Sequence, residues 1–236
     1  MIEPKEITIG CIGYEIKADW YQGDDSVGVM LFLIGFPSKK STQTDLVTSQ
    51  VTGTGMSAIV LEYSGFGESE FDLNEVSPAQ NFIEVVQVFD WIKDHKKANK
   101  ICVIGTSYGA FQATQLSEYR KFEKLVLRVP AIYPPEIFYT KWKNIDREYV
   151  DQYRNNFEDY KSHPLLVRAS HFPGETFTVI HEIDESCPLL STQAFTSAFG
   201  AEEYIAEKFK HSPGNSDITR EELVNYQEVI VDWLNK

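Results

Sequence analysis

Short apolar runs alternate along the chain with longer stretches in which apolar positions recur at helical spacing. Residues 6–21, EITIGCIGYEIKADWY, read as a hairpin pair of strands, and 26–35, SVGVMLFLIG, as a buried strand that ends in glycine. Further runs stand at 57–65 (SAIVLEYSG), 100–105 (KICVIG), 124–130 (KLVLRVP) and 176–184 (TFTVIHEID), each followed by a turn. They are near-continuous rather than alternating, the pattern of strands covered on both faces. The clearest helix spans 78–96. Ser77, Pro78 and Gln80 supply an N-cap, a first-turn proline and a capping-box partner, and Phe82, Val85, Val86, Phe89 and Ile92 recur at helical spacing. A second box, Thr219 with Glu222, opens a C-terminal helix that runs to about residue 235. Strands alternating with helices predict an α/β chain: a mostly parallel sheet with helices on both faces and antiparallel strands near the N-terminus.

One segment breaks this rhythm. From Tyr133 to Pro173 there is no strand pattern, and the stretch is crowded with aromatic residues such as Tyr133, Phe138, Trp142, Tyr149 and Tyr153. It predicts a small insertion at about 133–173 lying over the sheet of a single domain, 1–236. No internal repeat, low-complexity tract or linker divides the chain.

Composition narrows the partners. The 236 residues are 42% hydrophobic, enough to bury a real core. The formal net charge is -13, and no basic cluster is denser than HKKANK at 95–100, which argues against a nucleic-acid groove or an anionic membrane patch. A small-molecule partner is expected instead. Three cysteines, Cys11, Cys102 and Cys187, show no metal-type spacing and suit a reducing compartment. MIEPKEITIG places two glutamates before any apolar run, unlike a secretory signal, and no apolar stretch approaches the ~18 residues of a membrane span. A cytoplasmic location is the expectation.

The chemistry centres on ICVIGTSYGAFQA, residues 101–113. A serine between glycines, where a buried strand turns sharply into a helix, matches the nucleophile elbow Gly-x-Ser-x-Gly. Gly105 and Gly109 suit a turn that brings strand and helix backbones close, and Ser107 would project from the carboxyl edge of the sheet. A serine hydroxyl is a poor nucleophile until a base takes its proton, so the motif calls for a histidine and a carboxylate to orient it. Of five histidines, His211 is favoured because it ends a strand-like run in a Pro/Gly/Asn loop at the same sheet edge; His171 is its rival. Asp184, where the 176–184 run stops, is the first carboxylate expected beyond a strand, with Glu182 and Glu185 close by. The developing oxyanion needs two backbone N–H donors. Tyr108, after the serine, and Phe36, in LIGFPSKK, are the candidates.

LFLIGFPSKKST, SAIVLEYSGFGES, VIGTSYGAFQA, LVLRVPAIYP, VIHEIDESCP and KFKHSPGNS, in this order and spacing, resemble the serine-hydrolase branch of the α/β-hydrolase superfamily. The similarity is greatest to small-cap esterases and dienelactone-hydrolase-like proteins and covers roughly residues 26–235. It implies an α/β-hydrolase fold with a central sheet of about eight strands, mostly parallel, and a small cap. It also implies Ser107 as nucleophile, Asp184 as acid, His211 as base, and Phe36 with Tyr108 as oxyanion donors. The chain departs from the family pattern at Ile34, where a histidine is frequent, and at Tyr63, where the later turn carries aspartate. Neither position supplies a catalytic atom. A serine nucleophile also argues against dienelactone hydrolysis, which the family performs with cysteine.

The expected activity is therefore two-step acyl transfer on a carboxylic ester or thioester, with no metal and no organic cofactor. Tyr133, Phe138 and Trp142 would wall an apolar pocket beside Ser107, or else simply pack the insertion onto the sheet. Arg128 would meet a substrate carboxylate or form a structural ion pair. Two other functions fit the same residues: a non-catalytic ligand- or partner-binding relative, and a peptidase or amidase.

Overall fold

The computed structural model describes residues 2–96, 98–157 and 159–236. Its N-terminal hairpin pairs β1 (Lys5–Cys11) with β2 (Tyr14–Tyr21) in antiparallel register around a turn in which Gly13 adopts φ 84°. Strands β3 (Val29–Leu33), β4 (Ser57–Leu61), β5 (Ile101–Thr106), β6 (Lys124–Arg128), β7 (Glu175–His181) and β8 (Glu202–Ala206) complete an eight-stranded sheet of order β1-β2-β4-β3-β5-β6-β7-β8. β2 meets β4 antiparallel; every pairing beyond β4 is parallel. All residues of β3, β4 and β6 are buried; β3 is apolar throughout, β4 opens on buried Ser57, and β6 carries buried Lys124 and Arg128 at its two ends.

The direction of the crossovers sets the two helical layers. From β3 through α1 (Thr44–Thr54) the chain steps to β4, toward the hairpin; from β4 through α2 (Pro78–His95) it returns past β3 to β5. It then continues outward through α3 (Tyr108–Tyr119), α4 (Arg147–Asn155), α5 (Pro164–Ala169) and α6 (Leu189–Phe199). Right-handed crossovers of opposite direction lie on opposite faces. Accordingly α1 packs with the C-terminal helix α7 (Arg220–Asn235) on one face, while α2 packs with α3, and α5 with α3 and α6, on the other. β3 and β5 are neighbours whose outgoing connections part in opposite directions, so a crevice opens between their carboxyl ends, where ligands bind in open α/β sheets.

Helix caps follow the sequence. Ser77 Oγ accepts the Gln80 N–H at the start of α2, but the reciprocal half of the expected box is not formed; Thr219 and Glu222 make both halves at α7. Two strands are shorter than the apolar runs that mark them. β7 stops at His181 and β8 at Ala206, and pairing gives way to isolated main-chain bonds, Glu182 N–H to Ala206 O and Ile183 N–H to Phe209 O. The interruption coincides with Lys208, held at φ 65°. Segment 133–173 contains α4, α5 and single 3-10 turns, with no strand among the described residues. Leu165, Leu166 and Ala169 of α5 are buried, whereas α4 buries only Val150.

Candidate active site

Ser107 follows directly on β5 and precedes α3, with φ 55° and ψ -114°. A non-glycine residue there carries roughly 1–3 kcal/mol of strain, and the surroundings over-determine it. Its N–H donates to Arg128 O at 2.8 Å, and its carbonyl accepts from Ala110 and Phe111 in the first turn of α3. The flanking glycines are steric requirements. A Cβ on Gly105 would stand 2.5 Å from the Ala110 Cα, and one on Gly109 would overlap the Leu33 carbonyl at the end of β3. α3 is therefore seated against the carboxyl ends of two strands, and the serine is held at the crevice between them.

His211 and Asp184 reach Ser107 from the loops beyond β8 and β7. His211 Nε2 lies 3.0 Å from Ser107 Oγ, and Nδ1 lies 2.7 Å from Asp184 Oδ2. Asp184 Oδ1 accepts the N–H groups of Ser186 and Cys187, both at 2.8 Å, so both carboxylate oxygens are engaged. A proton on Nδ1 satisfies the carboxylate and leaves the Nε2 lone pair facing the serine hydroxyl. Burial works against an imidazolium at His211, but the Asp184 carboxylate and the neighbouring Cys187 sulfur outweigh it and raise its pKa above the ordinary 6.5. Asp184, Cys187 and His211 also bring one potential metal-ligand atom each within 4.8 Å of one another; two of the three are already bound to each other.

The other histidines and acids stand apart. His171 is exposed and contacts Arg168 O; His163 caps α5; His95 stacks on Trp91 at the end of α2. Glu182 accepts the Lys208 N–H, and Glu185 is exposed. His181 is buried between Lys210 O, 2.7 Å from Nδ1, and Tyr226 Oη, 3.0 Å from Nε2. Burial, reinforced by the charge of Arg128, lowers its pKa to about 4, so the ring is neutral at physiological pH.

The loop after β3 passes beside the serine: a Cβ on Gly35 would come only to 3.5 Å from Ser107 Cβ. Among the described residues, neither the Phe36 nor the Tyr108 N–H donates to a protein acceptor. The Phe36 ring packs edge-on against Tyr108 and lies tilted on Trp142, centroids 4.2 Å apart. The Tyr108 ring is wholly buried, and its hydroxyl donates to Asn81 Oδ1; Asn81 in turn binds Ser64 O, and the Ser64 N–H donates to Glu84. Burial raises the Glu84 pKa against these hydrogen bonds. This chain ties the residue after Ser107 to α2 and to the turn after β4. Nothing in the apolar pattern marks it, although buried Asn81 and Glu84 interrupting an apolar helix face were the available signal.

Ser107 and His211 open into a cavity of about 480 Å³ bounded by the loop and helix start at 35–46, by Thr106 and Arg128, and by residues of 211–227. No described residue of the aromatic insertion is part of this wall. Tyr133 and Trp142 line a separate cavity of about 180 Å³ with Arg147 and Arg154, and Phe36 borders both. Phe138 is in neither; it packs on Phe82 and Phe111.

The sequence matches the family model for the alpha/beta hydrolase fold over residues 28–220, and the chain belongs to that family. Solved structures of the same fold include a complex of ferulic acid with Est1E from Butyrivibrio proteoclasticus, at TM-score 0.74 and 16% identity, covering 98% of this chain and 100% of that one. Pyrococcus furiosus esterase Pf2001 aligns at TM-score 0.71 and 16% identity over 99% of this chain and 92% of its own. The acylaminoacyl peptidase of Pyrococcus horikoshii aligns at TM-score 0.71 and 15% identity over all of this chain but 41% of its own. No curated protein matches the sequence. Among the described residues, no helix is long and apolar enough to cross a membrane.

Proposed function

We propose that the chain is a cytoplasmic serine hydrolase that cleaves carboxylic esters or thioesters of small substrates, with Ser107 as nucleophile, His211 as base and Asp184 as orienting acid. The observation that carries the reading is the continuous chain from Asp184 Oδ2 through His211 to Ser107 Oγ, with contacts of 2.7 and 3.0 Å. In the first step Ser107 Oγ attacks the carbonyl carbon while His211 Nε2 takes its proton. The imidazolium then protonates the leaving alkoxide or thiolate as the acyl–oxygen or acyl–sulfur bond breaks, leaving an ester on Ser107. Water, deprotonated by the same nitrogen, attacks that ester, and the proton returns to Ser107 as the acid leaves. No step needs a metal or organic cofactor.

The tetrahedral oxyanion of each step is assigned to the N–H groups of Phe36 and Tyr108. Both are free of protein acceptors among the described residues, and the loop carrying Phe36 runs beside Ser107. Each such donor contributes roughly 3 to 4 kcal/mol to the transition state. Segment 133–173 serves as a cap within one domain, 1–236. Trp142 enters through Phe36, whose ring it packs against, and Tyr133 through Trp142 and Tyr108, rather than as direct walls of the Ser107 cavity. A cavity of about 480 Å³ fits a small ester. Turnover of short para-nitrophenyl esters tests the proposal. Hydrolysis by the wild-type protein that Ser107→Ala abolishes is the expected result, and hydrolysis that survives Ser107→Ala would refute it.

A further inference from the structure

Arg128 is 5% exposed and lines the cavity that holds Ser107. Two other buried cations have carboxylate partners: Lys40 pairs with Glu6 and Asp19, and Lys124 with Glu175. Arg128 has none among the described residues. Its Nε–H donates to Tyr226 Oη at 2.8 Å and an Nη1–H donates to Thr106 Oγ1 at 3.0 Å. Both acceptors are neutral, so the guanidinium charge is uncompensated.

The partners also fix where the group points. His181 Nδ1 faces the Lys210 carbonyl, which requires the proton on that nitrogen and leaves Nε2 to accept from the Tyr226 hydroxyl. The Tyr226 oxygen is then free to accept from Arg128. The bonds from Lys210 through His181 and Tyr226 to Arg128 are made without a carboxylate, and the guanidinium lies near the Tyr226 ring, its carbon 5.4 Å from the centroid. A guanidinium carries five N–H donors; two are used, so three remain. Arg128 is paired in the sheet with Thr106, the residue before Ser107, one strand spacing of ~4.8 Å away. Among the described residues, the cavity's other titratable side chains are Tyr226, His211 and Asp45, and Asp45 is exposed at the start of α1.

An unpaired buried charge is costly, and a planar fork of free donors matches a carboxylate. We infer that the Ser107 cavity takes a substrate bearing a carboxylate, which Arg128 binds while the scissile carbonyl lies at Ser107. The acyl-transfer step rests on the proposed function above; the carboxylate site itself does not.

Two ester pairs matched in shape test this. para-Acetoxybenzoate against para-acetoxybenzamide puts the carboxylate on the leaving group, and the mono-para-nitrophenyl ester of adipic acid against its methyl-capped form puts it on the acyl group. Wild-type kcat/KM should favour the anionic member of one pair about tenfold or more, as a charge-assisted hydrogen-bonded contact implies. Arg128→Gln should bring that ratio close to one, and Arg128→Lys, which keeps the charge but not the fork, should recover part of it. A wild-type ratio near one in both pairs, or a preference that survives in folded Arg128→Gln, overturns the inference. Calorimetric titration of Ser107→Ala protein with benzoate and adipate, against benzamide, separates the two readings. Carboxylate binding that Arg128→Gln removes supports the site even if Ser107 proves unreactive. Hydrolysis of neutral esters with no carboxylate binding leaves the hydrolase and discards the site.

Discussion

Replacing Asp184 by asparagine changes one atom and should disable the proposed base without disturbing its surroundings. Oδ1 can still accept the Ser186 and Cys187 N–H groups at 2.8 Å, so the turn that presents the side chain survives. The second position becomes an amide NH2 that faces His211 Nδ1 where a carboxylate oxygen stood 2.7 Å away. Two donors cannot share that contact, so the ring moves its proton to Nε2, and the atom 3.0 Å from Ser107 Oγ becomes a donor instead of an acceptor. A wrong-tautomer base of this kind loses about 10⁴ in kcat, equivalent to ~5.5 kcal/mol of transition-state stabilisation. Steady-state ester hydrolysis measures the loss, with circular dichroism and melting temperature to verify the fold. Activity of folded Asp184→Asn within tenfold of wild type would refute the role assigned to this carboxylate.

The raised His211 pKa predicts a direction for pH dependence. Only neutral imidazole accepts the Ser107 proton, so kcat/KM should rise with pH through an apparent pKa above 6.5 in wild-type protein; a limb at or below 6.5 contradicts the assignment. The same shift stabilises the fold. Its contribution is fully present below 6.5 and fades as pH rises through the folded value, so His211→Gln should lower the melting temperature more at pH 5.5 than near pH 10, measured by thermal unfolding. Gly109→Ala drives a Cβ into the Leu33 carbonyl and should cost about 2 kcal/mol or more in denaturant unfolding, with activity falling as the elbow shifts. Gly65→Ala, at φ 82° with a Leu73 Cα 2.7 Å from the added carbon, should cost about 1–3 kcal/mol and leave the pH profile in place.

What was legible in the sequence was what local chemistry dictates. The elbow announced itself because two backbones in contact admit only glycine at 105 and 109, and the core strands because burial on both faces keeps their interiors apolar, with buried Lys124 and Arg128 confined to the ends of β6. Strand ends were less legible. β7 and β8 close where Lys208 turns the backbone, although the apolar pattern continues. α1 and α6 carry weak periodic signals, since α1 buries Gln50 and α6 exposes Leu189 and Leu190. Furthest from view was the wall of the cavity. Arg128 meets Tyr226 across 98 positions, and the segments 35–46 and 211–227, which run from loops into α1 and α7, converge only because the sheet order brings them to one edge. The aromatic crowding of the insertion pointed instead to packing around Phe36 and α3.

Reaction of the purified protein with a fluorophosphonate probe, followed by mass-spectrometric location of the adduct, tests the central claim most directly. The account predicts a single phosphonylated residue, Ser107, with labelling abolished in Ser107→Ala and reduced by orders of magnitude in His211→Ala. Failure of the folded wild-type protein to label, or labelling that persists in Ser107→Ala, would contradict it.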